Sequence, residues 1–285
     1  MTADMVYRER RFTAQDGLSL YFRDYEAPDA TRTPVLCLPG MARNSKDFHR
    51  LAMRLMPERR VIAVDYRGRG QSDYDPNPMN YHPATYLGDI AHLIAATGLH
   101  RVIVIGTSMG GLLATGLGAM APTVLAGVVV NDIGPDIDAG GTDRIINYVG
   151  RDDPQPDWKH AVARFKELFP TLSFTDEGQW REGAEATWRE HEDGMLHFDW
   201  DIRIVEPMKR NQPLPDLWAL FRSVRDVPML AFRGGVSDVL SQATFDRMAV
   251  EHPGLQRVCL EGVGHVPSLT EPESTEALDR FLEKL

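Results

Sequence analysis

Ser108 stands in Gly106-Thr107-Ser108-Met109-Gly110-Gly111, directly after the β-branched run Val102–Ile105 and at the head of an apolar helical stretch. A G-x-S-x-G segment between a strand and a helix is the setting of a strained turn that lifts a serine hydroxyl above a sheet edge. The flanking glycines answer the close approach of the two backbones, and the helix N-terminus aims free N–H groups at any oxyanion formed on the substrate. A glycine-rich turn that merely packs closely is the plainer alternative. A phosphate cradle is not, because the spacing is not G-x-G-x-x-G and no lysine follows.

A serine nucleophile needs a base. Of the nine histidines, only His265 lies just beyond the last apolar run, in Gly262-Val263-Gly264-His265-Val266-Pro267, where a glycine-bracketed loop can bring the ring back over the sheet. His49, His82, His92, His100 and His160 fall on or beside helical stretches. The base in turn needs a carboxylate to fix its tautomer and stabilise its charged form. Two positions compete. Asp238 follows the run Val227–Phe232, and Asp132 follows Leu125–Val130; both lie between Ser108 and His265, so chain order does not choose. Asp238 is preferred, because the acid-bearing loop usually precedes the histidine-bearing unit directly. Asp132 then reads as a helix cap or an anchor for the segment that follows it.

Two backbone N–H groups are expected to form the oxyanion hole: Met109, just after the nucleophile, and Met41, from the loop Pro39-Gly40-Met41-Ala42-Arg43-Asn44-Ser45. Arg43 is the single basic residue of that loop. Surface exposure is its expected fate, and a contact with an anionic substrate group is the sharper alternative.

The elements that must position these groups alternate regularly. Apolar runs at Val35–Leu38, Val61–Asp65, Arg101–Ile105, Leu125–Asn131, Val227–Arg233 and Gln256–Leu260 are separated by helical patterns near Lys46–Met56, Ala84–Thr97, Met109–Met120, Gln242–Glu251 and Pro272–Lys284. Such alternation implies βαβ units and a parallel sheet covered on both faces. Tyr7–Thr13 and Leu18–Glu26, around Asp16-Gly17, read as an antiparallel hairpin on its edge. The alternation stops at Asp132 and resumes near Val227. All five tryptophans, Trp158, Trp180, Trp188, Trp200 and Trp218, fall in that interval, which reads as a lid packed over the sheet. The expected division is a core of residues 1–132 and 226–285 with a helical lid over 133–225. Within the lid, Met195–Ile204 reads as a short strand, and its His191 and His197 clusters as a solvated face, since the spacing is not H-E-x-x-H.

Composition excludes several classes. With 31 basic and 41 acidic residues, a net charge of −10 argues against a nucleic acid or an anionic membrane as partner. The N-terminal residues lack an apolar signal core, so a cytoplasmic protein is expected. Residues 102–131 carry no charge, but their glycines and Pro122 suit a strand, turn, helix and strand better than a membrane helix. Cys37 and Cys259 are expected as reduced, buried residues. No cofactor is called for.

Along essentially its whole length the chain resembles the α/β-hydrolase superfamily. Besides the serine and histidine segments, Asp65-Tyr66-Arg67-Gly68-Arg69-Gly70-Gln71-Ser72-Asp73 resembles the D-x-R-G-x-G-x-S turn of its small soluble members. The resemblance implies an eight-stranded, mostly parallel sheet with strand two antiparallel, and a helical cap after strand six. It is similar to the group of small esterases, enol-lactonases, carbon–carbon bond hydrolases, perhydrolases and dehalogenases. Serine in place of aspartate as nucleophile argues against dehalogenase and epoxide hydrolase chemistry. Pro39-Gly40 replaces the usual His-Gly, which puts the oxyanion loop's placement in question. The expected activity is cleavage of a small carboxylic ester or lactone. Carbon–carbon cleavage or perhydrolysis by the same residues, and a non-catalytic ligand receptor on the same fold, remain the alternatives.

Overall fold

A computed structural model describes residues 6–136, 146–210 and 215–285. Its eight-stranded sheet runs β1 (Arg8–Thr13), β2 (Ser19–Tyr25), β4 (Val61–Val64), β3 (Val35–Leu38), β5 (Val102–Thr107), β6 (Leu125–Asn131), β9 (Met229–Gly234) and β10 (Gln256–Leu260) in spatial order. β2 is antiparallel to both neighbours, and the strands from β4 to β10 are parallel. The central strands are continuous apolar runs because helices cover both faces: every residue of β3, β4, β6 and β9 is buried. The outer strands are polar. β1 reads Arg-Glu-Arg-Arg-Phe-Thr and is largely exposed, a charged edge that resists pairing with another chain.

The helices α1 (His49–Leu55), α2 (Pro83–Ala96), α3 (Met109–Met120), α7 (Gln242–Glu251) and α8 (Pro272–Leu282) occupy the expected places. The uncharged stretch 102–131 resolves into β5, α3 and β6, and among the described residues no helix is long and apolar enough to cross a membrane. One expectation fails on the edge strand. Cys37 is buried, but Cys259 is exposed, because β10 has its inner face alone covered and its side chains alternate outward at Arg257 and Cys259.

Between β6 and β9 the described chain leaves the sheet. It forms α4 (Trp158–Leu168), α5 (Glu177–Glu185), the hairpin of β7 (Trp188–Glu190) and β8 (Leu196–Phe198), and α6 (Leu217–Ser223). The strand expected over Met195–Ile204 is shorter and belongs to this hairpin. Aromatic packing holds the segment together. Phe198 stacks on Trp200 at a centroid distance of 4.0 Å, and Trp188 packs on Phe198 at 5.4 Å. The indole N–H groups of Trp188, Trp200 and Trp218 reach Asp153 O, Val149 O and an Asp136 carboxylate oxygen, so burial leaves none of them unsatisfied.

Polar contacts tie this segment to the sheet's C-terminal edge. Lys46 Nζ meets the Asp199 carboxylate at 2.8 Å, and Asn44 Nδ2 donates to Ala186 O. Gly70 N–H donates to Asp199 O, and Tyr81 Oη donates to Asp201. Farther out, the His197 ring sits between Asp152, 2.5 Å from Nδ1, and Asp193, 2.9 Å from Nε2. Those two hydrogen bonds, Asp152's first, hold its pKa above the usual histidine range. A raised pKa means the folded state favours the proton, so the stabilisation is complete below the ordinary histidine pKa and disappears as pH rises through the raised one. The Tm difference between the wild type and His197→Gln is therefore expected to be largest near about pH 5.5 and to shrink toward about pH 9. A gap independent of pH would contradict this account.

Candidate active site

Ser108 directly follows β5 and adopts φ 51° and ψ −120°, a left-handed conformation that a side-chain-bearing residue holds only under constraint. The constraint comes from the glycines. A β-carbon at Gly106 would lie 2.3 Å from Gly110 O, and one at Gly110 would lie 2.0 Å from Leu38 O. Strand, helix and the chain leaving β3 thus meet closer than any alanine permits. The Ser108 N–H is taken by Asn131 O at 2.9 Å, which fixes the turn to β6.

His265 follows β10 in a loop that folds across the end of β9. There Gly234 lies so near the His265 loop that a β-carbon on it would be 2.3 Å from Gly264 O. The imidazole Nε2 is 3.1 Å from Ser108 Oγ, and Nδ1 is 2.7 Å from Asp132 Oδ2. A carboxylate at Nδ1 is an acceptor, so the neutral ring carries its proton there and leaves Nε2 free to accept from the serine hydroxyl.

The carboxylate that reaches the ring is therefore that of Asp132, and not that of Asp238 as the loop order suggested. Asp132 is fully buried and, with φ 54°, turns back at the end of β6. Its Oδ1 accepts from Gly234 N–H at 2.8 Å, and its Oδ2 accepts from Ser237 Oγ at 2.6 Å as well as from His265. Asp238 is exposed on the bend that follows. The physical reason is adjacency: β6 and β9 are neighbours, with Asp132 N–H bonded to Phe232 O, so their two end loops sit side by side. The loop after β9 contributes a hydroxyl and an N–H, and the loop after β6 contributes the carboxylate.

Two residues in this arrangement escaped the sequence. Ser237 is one residue from the expected acid, and nothing in its spacing distinguishes it from a turn serine. Asn131, buried, donates from Nδ2 to Pro267 O at 2.9 Å and so links the Ser108 turn to the His265 loop. Its place as the last residue of an apolar strand, directly before an aspartate, is a signal that could have been weighed.

The loop after β3 is firmly held. Pro39 O accepts from Tyr66 Oη, Gly40 O from Arg43 N–H, and Met41 O from Arg69 Nε. A β-carbon built at Gly40 would lie 3.8 Å from Ser108 Cβ, so the loop borders the serine despite the Pro39-Gly40 departure. Met109 opens α3, and a first-turn N–H has no intrahelical acceptor. Arg43 is neither a free surface residue nor an open anion receptor. Its Nε and Nη2 fork onto Asp47, and Nη1 reaches Thr187 across the boundary with the inserted segment.

With this geometry established, comparison with known proteins is decisive on the family. Residues 35–278 match the model of the alpha/beta hydrolase family. The chain belongs to that family. A crystal structure of an alpha/beta hydrolase from Novosphingobium aromaticivorans superposes with a TM-score of 0.93 at 41% identity, covering 99% of this chain and 100% of that one. The chain is 27% identical over 258 residues to the 3-hydroxybutyrate-oligomer hydrolase of Cupriavidus necator, spanning 87% of each. It is 26% identical over 263 residues to the esterase YbfF of Escherichia coli, covering 88% of this chain and 93% of that relative. The protein is accordingly a hydrolase.

Membership of the family makes the glycines at the serine turn a direct test of its geometry. Gly110→Ala forces a methyl group against two carbonyl oxygens of the neighbouring loop and is expected to lower stability by about 1–3 kcal/mol or more. Gly88→Ala, in α2 with nothing within 4 Å of the new methyl, is the control. It should raise stability by about 0.5–1 kcal/mol, and urea denaturation of the pair reads both signs.

Proposed function

We propose that the chain is a serine hydrolase that cleaves a small carboxylic ester or lactone through an acyl-enzyme on Ser108, with His265 as general base and Asp132 as its orienting acid. The observation that carries this reading is the continuous chain of hydrogen bonds from Ser108 Oγ to His265 Nε2 and from His265 Nδ1 to a fully buried carboxylate. The similarity to relatives named for ester and oligomer hydrolysis supports the bond type.

In the first half-reaction His265 Nε2 takes the Ser108 proton as Oγ bonds to the substrate carbonyl carbon, and the carbonyl π pair moves onto oxygen. That oxyanion is received by the N–H groups of Met41 and Met109. Asp132 stays ionised and stabilises the imidazolium without itself taking the proton. The tetrahedral centre then collapses, the carbon–oxygen bond to the leaving group breaks, and the leaving oxygen takes the proton from Nε2. Water repeats the sequence on the acyl-enzyme, giving the free acid and regenerating Ser108. None of these steps requires a metal or an organic cofactor.

The segment over 133–225 serves in this reading as a lid. Met41 and Met109, next to the serine turn, are part-buried, and apolar side chains there suit a short apolar acyl group better than a charged one.

Incubation with a serine-directed phosphonate, followed by peptide mapping, should place a single adduct on Ser108 and abolish p-nitrophenyl acetate turnover. Labelling elsewhere, or turnover that survives it, refutes the proposal. Asp132→Asn should lower kcat by up to about 10⁴-fold, whereas Asp238→Asn should stay within about threefold of wild type. The opposite ranking would return the acid to Asp238.

A further inference from the structure

Arg69 is a fully buried guanidinium that faces no carboxylate among the described residues. The contrast within its own turn is sharp, because Arg67 is paired with Asp16, Asp75 and Asp89. The partners of Arg69 are neutral. Nε donates to Met41 O at 2.8 Å, while Nη1 donates to Arg67 O and to Tyr86 Oη, each at 2.8 Å. The rings of Tyr86 and Tyr81 lie 5.0 and 5.6 Å from its central carbon. Burial raises the pKa of both phenols, so neither supplies a counter-charge. Nη2 is buried without an acceptor. Burying a cation in this way costs stability that an apolar residue of similar size would not, so its retention calls for a role beyond packing.

Its Nε bond leads to the loop after β3. The Gly40 carbonyl is engaged by Arg43 N–H, and in a trans peptide the Met41 N–H then points the opposite way. Arg69 holds the next carbonyl, that of Met41 itself. Met41 is thereby fixed between two anchored peptide planes.

We propose that Arg69 is a positioning residue that sets the orientation of the Met41 N–H toward the developing oxyanion. This rests on the serine-hydrolase reading above. Without the Nε–H bond, the peptide after Met41 is free to rotate, and the Met41 Cα it shares with the preceding peptide is no longer pinned. The N–H of that preceding peptide then drifts from the short distance to the oxyanion that distinguishes the transition state from bound substrate.

The test compares wild type, Arg69→Lys, Arg69→Met and Tyr86→Phe on p-nitrophenyl acetate. An aryl trifluoromethyl ketone, which adds to serine as a tetrahedral oxyanion, serves as the binding probe. Arg69→Lys keeps a charge but loses the fork. Both Arg69 variants are expected to lose kcat by about tenfold or more with KM within about twofold. Affinity for the ketone should fall in proportion to kcat/KM. Tyr86→Phe removes one acceptor from Nη1 and should move the same quantities in the same direction, less far; it carries the test if the Arg69 variants do not fold. Phosphonate labelling of wild-type Ser108 separates the two possible failures. Absence of labelling sinks the hydrolase reading. Labelled, folded variants with unchanged kcat and ketone affinity, or with KM alone altered, overturn the role of Arg69 and leave that reading intact.

Discussion

The His265 ring is held between a buried carboxylate and a strained serine, and each of the three groups comes from the end of a different parallel strand. Ser108 follows β5, Asp132 follows β6 and His265 follows β10. Parallel strands end on one edge of a sheet, so side chains far apart in sequence converge without any element having to bend toward them. The ring must still cross β9 to reach Asp132. Gly234 and Gly235 make that crossing possible, since a β-carbon at either would meet the backbone of the loop that leads to His265. Had β9 ended in larger residues, the loop would ride higher and the imidazole would miss both partners.

What the sequence made legible follows from how local each signal is. The serine turn is written in six consecutive residues, and the close contacts of Gly106 and Gly110 are what that pattern encodes. His265 could be found because a single histidine stands beyond the last core strand. The carboxylate that meets it could not, because which one reaches the ring depends on a lateral relation between neighbouring strands. β6 and β9 both end in loops carrying an aspartate, and the decision turns on backbone conformation: Asp132 takes a left-handed φ that puts its carboxylate back over the sheet edge. Aspartate tolerates this conformation better than most residues, but no spacing rule announces it. Cys259 failed for a similar reason, since an apolar run does not reveal that its strand is outermost.

The inserted segment braces the loops on both sides of the serine turn. Thr171 packs so tightly on Gly264 that a β-carbon there would lie 2.0 Å from its hydroxyl oxygen, and Gly264 N–H donates to Thr171 O at 2.9 Å. The residue immediately before the histidine is thus held by the insertion. On the opposite side, Asn44, Lys46 and Gly70 bond to the same insertion from the loops that border Met41. The histidine loop and the loop after β3 are therefore braced against one body rather than two.

That bracing explains why so many charged groups are buried at a seam where apolar packing would cost less. Asp65 accepts N–H bonds from Ser45 and Gln71, and Gly70 must be glycine because a β-carbon would lie 2.2 Å from the Asp65 carboxylate. Burial pushes the pKa of Asp65 up. A carboxylate in such a place is a poor source of stability, since desolvation offsets much of what its bonds return. It is a good source of definition, because directional bonds to two loops admit one relative placement where apolar side chains would admit several. The turn 65–73 thus exchanges stability for registration, and the loop it registers is the one that borders Ser108.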